Sequence, residues 1–160
     1  MIVDSSTLIL MAKSGLLDLV IKNKKLMITG KVKEESITAK DSFDSKLIDQ
    51  RVKEKAIKIS YIKNIKFYDK MIEQFNLGKG EAEAITLAFE KNGILLSDDK
   101  KAINACKILN IRFTTALNIL VEFYKNKTID KEKAEIILKK LKEYGRYSNE
   151  LIKKVEEDIK

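Results

Sequence analysis

The chain contains no histidine, no proline and a single cysteine, Cys106, among its 160 residues. Without histidine, and with one thiol, it cannot assemble a zinc site of common type or an internal disulfide. Cys106 falls on the apolar stripe of a predicted helix with Ala102, Ile103 and Leu109, the place of a small buried hydrophobe. No stretch approaches the run of about 18 uncharged apolar residues that a membrane span requires. The opening residues, MIVDSSTLILMAK, lack the basic region and small-residue cleavage site of a signal peptide, so the expected location is the cytoplasm, with no membrane partner. Glycine is sparse, and the pair Gly78 and Gly80 is no phosphate loop. GKGE has neither the spacing nor the trailing Lys-Ser/Thr of a Walker motif, and it follows a helix. The missing proline carries no functional information.

What is present is a chain of one-domain size, 44% hydrophobic and 35% charged, proportions that suit a folded globular protein. Its formal charge is +8, with lysine far outnumbering arginine. Excess positive charge favours polyanionic partners such as nucleic acid, although a lysine-rich surface gives the same number with no partner at all.

The chain is organised around Gly78 to Lys101, GKGEAEAITLAFEKNGILLSDDKK. A helix starting near Gly80 carries Glu81 on the same face as Ala84, Ile85 and Ala88. Glu83, Thr86 and Glu90 share another face, which reads as solvent. Ile94 to Ser97 is a short continuous apolar run, the pattern of a strand covered on both sides in a parallel sheet. Asp98 and Asp99 fall at its carboxyl end, where open α/β sheets place their ligand sites.

Elsewhere, Met1 to Asp4 reads as a strand, and Ser5, Ser6 and Thr7 as a helix entry capped by a hydroxyl residue, with Asp4 either a plain helix cap or something more. The helical region that follows breaks near Ser14-Gly15. Leu26 to Thr29 reads as a second strand, and Lys31 to Ala39 as a short helix whose i+3 spacing from Val32 turns Glu35, rather than Glu34, inward. Asp41 to Ser45 reads as a loop, Lys46 to Lys55 as a helix, Ile57 to Ile62 as an edge strand, and Phe67 to Phe75 as a helix. After the helix that Asn110 ends come a strand at Ile111 to Phe113 and a helix from Leu117 to Tyr124. A closing helical pair, Asp130 to Tyr144 and Ser148 to Ile159, is separated by Gly145. Alternating strands and helices predict an α/β fold, a parallel sheet with helical crossovers. The expected division is a domain over 1–127 with a C-terminal helical extension over 128–160 packed on it.

In that topology Asp4, Glu35, Glu81 and the Asp98/Asp99 pair share one address. Clustered carboxylates repel unless a cation neutralises them, and an all-oxygen set selects a hard ion, Mg²⁺ or Mn²⁺. Such ions hold phosphates and activate water, so the acids and the basic surface point to one substrate class.

VDSSTLILMAKSGLLDLV, TGKVKEE, GKGEAEAITLAFEKNGILLSDDKKA and the final helical pair resemble the PIN domain. Within it they are most similar to a prokaryotic branch related to the toxin ribonucleases of toxin–antitoxin pairs. The resemblance implies a three-layer α/β/α fold around a mostly parallel sheet of four to five strands, and a Mg²⁺/Mn²⁺-dependent endoribonuclease that leaves a 5′-phosphate and a 3′-hydroxyl, a homodimer, and an antitoxin protein as partner. It also implies roles. Asp4, Glu81 and Asp99 would hold an ion, Asp98 being the competing ligand. Glu35 would assist through water or a second ion, and Ser6 and Ser97 would support the acids. Lys13, Lys100, Lys101 and Arg112 are expected to clamp the backbone of a single-stranded RNA. The chain departs from the family in carrying glutamate at position 81, where aspartate is usual, and in its doubled Asp98-Asp99. These departures leave open an alternative, a catalytically silent PIN-like module that binds RNA or a protein. An aspartyl phosphatase or response-regulator pocket fits less well, because Asp4-Ser5-Ser6 brings no neighbouring acid.

Overall fold

The computed structural model describes residues 1–160. Five short strands, β1 (Ile2–Val3), β2 (Leu26–Ile28), β3 (Ile57–Ile59), β4 (Leu95–Leu96) and β5 (Phe113–Thr114), form one sheet in the order β3-β2-β1-β4-β5. Every pairing is parallel, with Ile2 opposite Met27 on one side and opposite Leu95 on the other. The expected α/β fold is therefore present, with a sheet that is wholly parallel.

Ten helices connect and follow the strands: α1 (Ser5–Ser14), α2 (Leu16–Asn23), α3 (Gly30–Ser36), α4 (Phe43–Lys53), α5 (Ile65–Phe75), α6 (Lys79–Glu90), α7 (Lys100–Ile108), α8 (Ala116–Lys125), α9 (Lys131–Tyr144) and α10 (Asn149–Asp158). Right-handed crossovers put α1–α4, which step from β1 through β2 to β3, on one face, and α5–α7, which step the opposite way, on the other. That gives the three layers. α9 returns to lie along α1 and α8. Leu95 and Leu96 are both fully buried, as a strand covered on two faces must be. Each such side chain contributes roughly 1.5–3 kcal/mol relative to its exposed state.

Local chemistry sets the boundaries. Gly15 adopts φ 80°, a left-handed turn that separates α1 from α2. Asn110, also left-handed at φ 54°, lies just beyond the end of α7. Several boundaries differ from the sequence reading. Ser42 caps α4 by accepting the Ser45 amide, so the helix begins at Phe43, inside the expected loop. The short helix starts on Gly30, capped by Thr29, and stops at Ser36. β3 ends at Ile59, three residues before Ile62. β5 is displaced to Phe113–Thr114, which leaves Arg112 ahead of the strand.

The outer face of α6 is a larger correction. Thr86 is fully buried and bonds to the Ala82 carbonyl. Glu83 accepts the Lys31 amide at 3.3 Å, and Glu90 accepts those of Lys63 and Asn64. α6 lies between α3 and α5, so the face that reads as solvent is covered by neighbours.

Candidate active site

The chain leaves β1 in one direction along the sheet and later enters β4 on the other side of β1, so the order reverses between these two strands. At such a switch point the following helices diverge and leave a crevice at the carboxyl rim. Asp4 directly follows β1, and Ser97, Asp98 and Asp99 directly follow β4. α6 precedes β4 and runs back along the sheet, which brings Glu81, in its first turn, to the same rim. Glu35 arrives on α3 after β2.

Asp4 does two things. Its Oδ1 caps α1 in place of the expected hydroxyl residue, accepting the Thr7 amide at 2.8 Å and the Ser6 hydroxyl at 3.2 Å, because Ser5 to Thr7 already lie inside the helix. Its Oδ2 is buried with no hydrogen-bond partner. Burial raises the pKa of this fully enclosed carboxyl, outweighing the surrounding hydroxyls of Ser97, Thr7 and Ser6 and the Thr7 amide. An unpartnered carboxylate oxygen inside a protein is costly unless something cationic meets it.

The other acids are held in place individually. The Ser5 hydroxyl donates to Glu35 Oε2 at 2.6 Å and the Gly80 amide to Oε1 at 3.2 Å, whereas Glu34 pairs at the surface with Lys31. A Cβ at position 80 would stand 2.2 Å from Glu35 Oε2, so this close approach requires glycine. Glu81 Oε2 accepts the Gly78 amide at 3.0 Å, the returning half of a capping box whose other half a glycine cannot supply. Burial raises the Glu81 pKa against that hydrogen bond, helped by the negative charges of Asp99, Asp4 and Glu35. Glu81 thus lies within electrostatic reach of the other three carboxylates.

The adjacent aspartates have different partners. Asp98 spends both oxygens inside the protein, Oδ1 on the Tyr147 hydroxyl at 2.9 Å and Oδ2 on the Ala116 amide at 3.2 Å. Its own amide donates to Thr7 Oγ1, tying β4 to the start of α1. Burial lifts its pKa to about 6, against the Tyr147 and Ala116 hydrogen bonds. Asp99 caps α7 with Oδ1 on the Ala102 amide, and its own amide bonds to the buried Ser97 hydroxyl. Only Asp99 of the pair keeps an oxygen uncommitted.

The four backbone-clamp candidates separate. Lys100 and Lys101 are exposed in the first turn of α7, next to Asp99. Lys13 lies in the last turn of α1, about 13 Å along the helix from Asp4 by its rise per residue, with Nζ 5.7 Å from the centre of the Tyr144 ring. Arg112 is not brought to this rim. It precedes β5, at the amino end of the sheet, where it donates to the Asn92 carbonyl. Cys106 is fully buried, and burial pushes its thiol up to about 12, so it takes no part in the chemistry.

Sequence reading passed over Ser5, Thr7, Gly80, Arg146 and Tyr147. The first three bind acids or their neighbours across 30 to 91 residues of chain. Tyr147 could have been suspected only as an aromatic residue in an otherwise polar turn.

The acids do not form a ready-made cage, since no group of three or more lies at metal-holding separation. Their chemistry nonetheless fits a hard divalent cation. The donors are all oxygen, several carboxylates face one another without a compensating base, and Asp4 Oδ2 has no partner. No helix is long and apolar enough to cross a membrane. Comparison with curated proteins finds no match. A family model described as PIN domain matches residues 1–160, the helical pair included.

Proposed function

The chain belongs to the PIN domain family, typically metal-dependent nucleases, and from that premise we propose that it is a Mg²⁺- or Mn²⁺-dependent endoribonuclease acting at the carboxyl rim. The observation that carries this reading is the unpartnered Oδ2 of Asp4, buried at the switch point among carboxylates that no lysine or arginine neutralises. Asp4, Glu81 and Asp99 would hold the ion, and Glu35 would stand beside it. A bound ion would polarise the scissile phosphate and lower the pKa of an attacking water.

The chain's own residues do the positioning. Thr7 and Ser6 fix Asp4 Oδ1, which leaves Oδ2 unpaired. Ser5 and the Gly80 amide orient Glu35, and the Ala102 amide orients Asp99. Asp98, pinned by Tyr147 and Ala116, braces the end of β4. Lys100 and Lys101 flank Asp99 and would draw in the RNA backbone. Single-stranded RNA suits a crevice of strand-end acids, which must reach an unobstructed phosphate. In this reading the chain works as a homodimer and is the toxin of a two-gene pair. Sedimentation as a dimer at micromolar concentration and an adjacent antitoxin gene are the corresponding checks.

One observation favours the second reading, a silent RNA- or protein-binding module: Glu81, the longer acid, is folded back onto the Gly78 amide. The deciding experiment is Mn²⁺-dependent cleavage of a labelled single-stranded RNA by the wild-type chain and by Asp4→Asn. The ribonuclease reading expects cleavage that EDTA abolishes and that Asp4→Asn loses. Equal cleavage by both proteins overturns the site. No cleavage with any divalent metal favours the silent module.

A further inference from the structure

The acid rim has a second wall. The turn between α9 and α10 crosses it, anchored where the Tyr147 hydroxyl reaches Asp98. Residues 144–147 and the opposing Ser6, Leu10 and Asp99 line a cleft of about 330 Å³ that Asp98 also borders.

The cations on this wall differ from those elsewhere. The chain has only three arginines, Arg51, Arg112 and Arg146. Arg51 is spent on Asp18 and Glu54, and Arg112 on the Asn92 carbonyl. Arg146 has neither an ion pair nor a hydrogen bond and stands exposed at the cleft. Beside it Tyr144 keeps 50% of its surface in solvent, with the Lys13 ammonium over its ring. A strip of guanidinium, aromatic ring and ammonium therefore leads away from Asp98 and Asp99 along α1.

A polyanionic strand approaching several carboxylates is repelled unless cations lie just beyond them. A free guanidinium matches a phosphate with paired donors, and an exposed ring next to it offers a base a stacking surface. We propose that the α9–α10 turn forms the second wall of the RNA cleft, with Arg146 holding a backbone phosphate beside the scissile one and Tyr144 stacking on the neighbouring base. Lys13 extends the strip toward the next phosphate. The proposal rests on the ribonuclease reading and names where its substrate lies.

The test measures binding without cleavage, by anisotropy of a fluorescent single-stranded RNA with the full chain in EDTA and again in Ca²⁺. Arg146→Ala should weaken binding about tenfold, the scale of a charge-assisted hydrogen bond, and flatten the salt dependence by about 0.7 in log–log slope. Tyr144→Ala should weaken it comparably, while Tyr144→Phe, which keeps the ring, should bind like wild type. Lys25→Ala, an exposed cation between α2 and β2 at the other end of the sheet, should change little. The proposal is overturned if Arg146→Ala binds as wild type, or if Lys25→Ala loses as much. Either result, with cleavage still dependent on Asp4, removes this wall and leaves the ribonuclease standing. A wild-type chain that binds no RNA in either medium overturns both.

Discussion

The two ends of the same parallel sheet handle charge in opposite ways. At the amino end, Lys24 pairs with Glu122 at 2.5 Å while lying over the Phe123 ring, Arg112 is satisfied by a carbonyl, and the Met1 amine donates to the Lys25 carbonyl at 2.8 Å. At the carboxyl end, Asp4, Glu35, Glu81, Asp98 and Asp99 enter none of the chain's ion pairs. At one end these charged groups find partners within the protein, as on ordinary surface. The other holds like charges in place with hydroxyls and amides, groups that orient a carboxylate without cancelling it. Compensation there comes from no side chain of the protein; a bound proton or, in the proposed reading, a cation supplies it.

The sharpest way to break this contrast is Asp4→Asn. Removing the unpartnered carboxylate should cost roughly a hundredfold or more in Mn²⁺-dependent cleavage, measured as single-turnover rate. The same change should not lower the melting temperature, because the amide oxygen still caps α1 and a buried charge is gone.

Next in size is the response to the ion itself. At a hundredfold excess over Kd, binding to the folded chain alone contributes about 2.7 kcal/mol, on the order of 5–10 °C for a protein of this length. Mn²⁺ should raise the calorimetric midpoint of wild type by that much and leave that of Asp4→Asn unmoved. Glu122→Gln, which unmakes the amino-end pair, should preserve the shift.

A smaller effect separates the ends by pH. Burial raises the pKa of Asp4, Glu81 and Asp98, the last to about 6. A carboxyl whose folded pKa is raised contributes stability that is complete below its unfolded value, about 4, and is lost as pH climbs through the folded value. In EDTA, lowering the pH from about 7.5 to about 5.5 should therefore raise the melting temperature, and Asp98→Asn should flatten part of that slope. A midpoint that falls over this window would contradict the open-charge account.

Smallest of the set is Gly80→Ala. The added methyl displaces Glu35 from its seat between Ser5 and the Gly80 amide, and cleavage should fall about tenfold while melting barely changes. Loss of stability without loss of rate would reassign Glu35 to a structural role.

Much of this arrangement was legible from residue patterns. Strand ends followed by acids, the helix start marked by Ser148, and the inward turn of Glu35 all follow from short-range spacing, and the structure has each of them. Contacts between distant segments were not legible. Thr86 looks solvent-facing because periodicity reports the amphipathicity of one helix and knows nothing of the α3 and α5 neighbours. Arg112 looked available because a two-residue shift in where β5 begins decides which end of the sheet a side chain occupies. The Tyr147–Asp98 bond spans 49 residues, and no local rule could have announced it.

That bond has a consequence for synthesis. Translation delivers β1, β4 and all five rim acids well before residue 147, so a growing chain reaches the end of β5 with Asp98 still lacking its phenolic partner. The brace on β4 closes only when the turn between α9 and α10 has left the ribosome, which ties completion of the crevice to synthesis of residues far beyond the acids it holds.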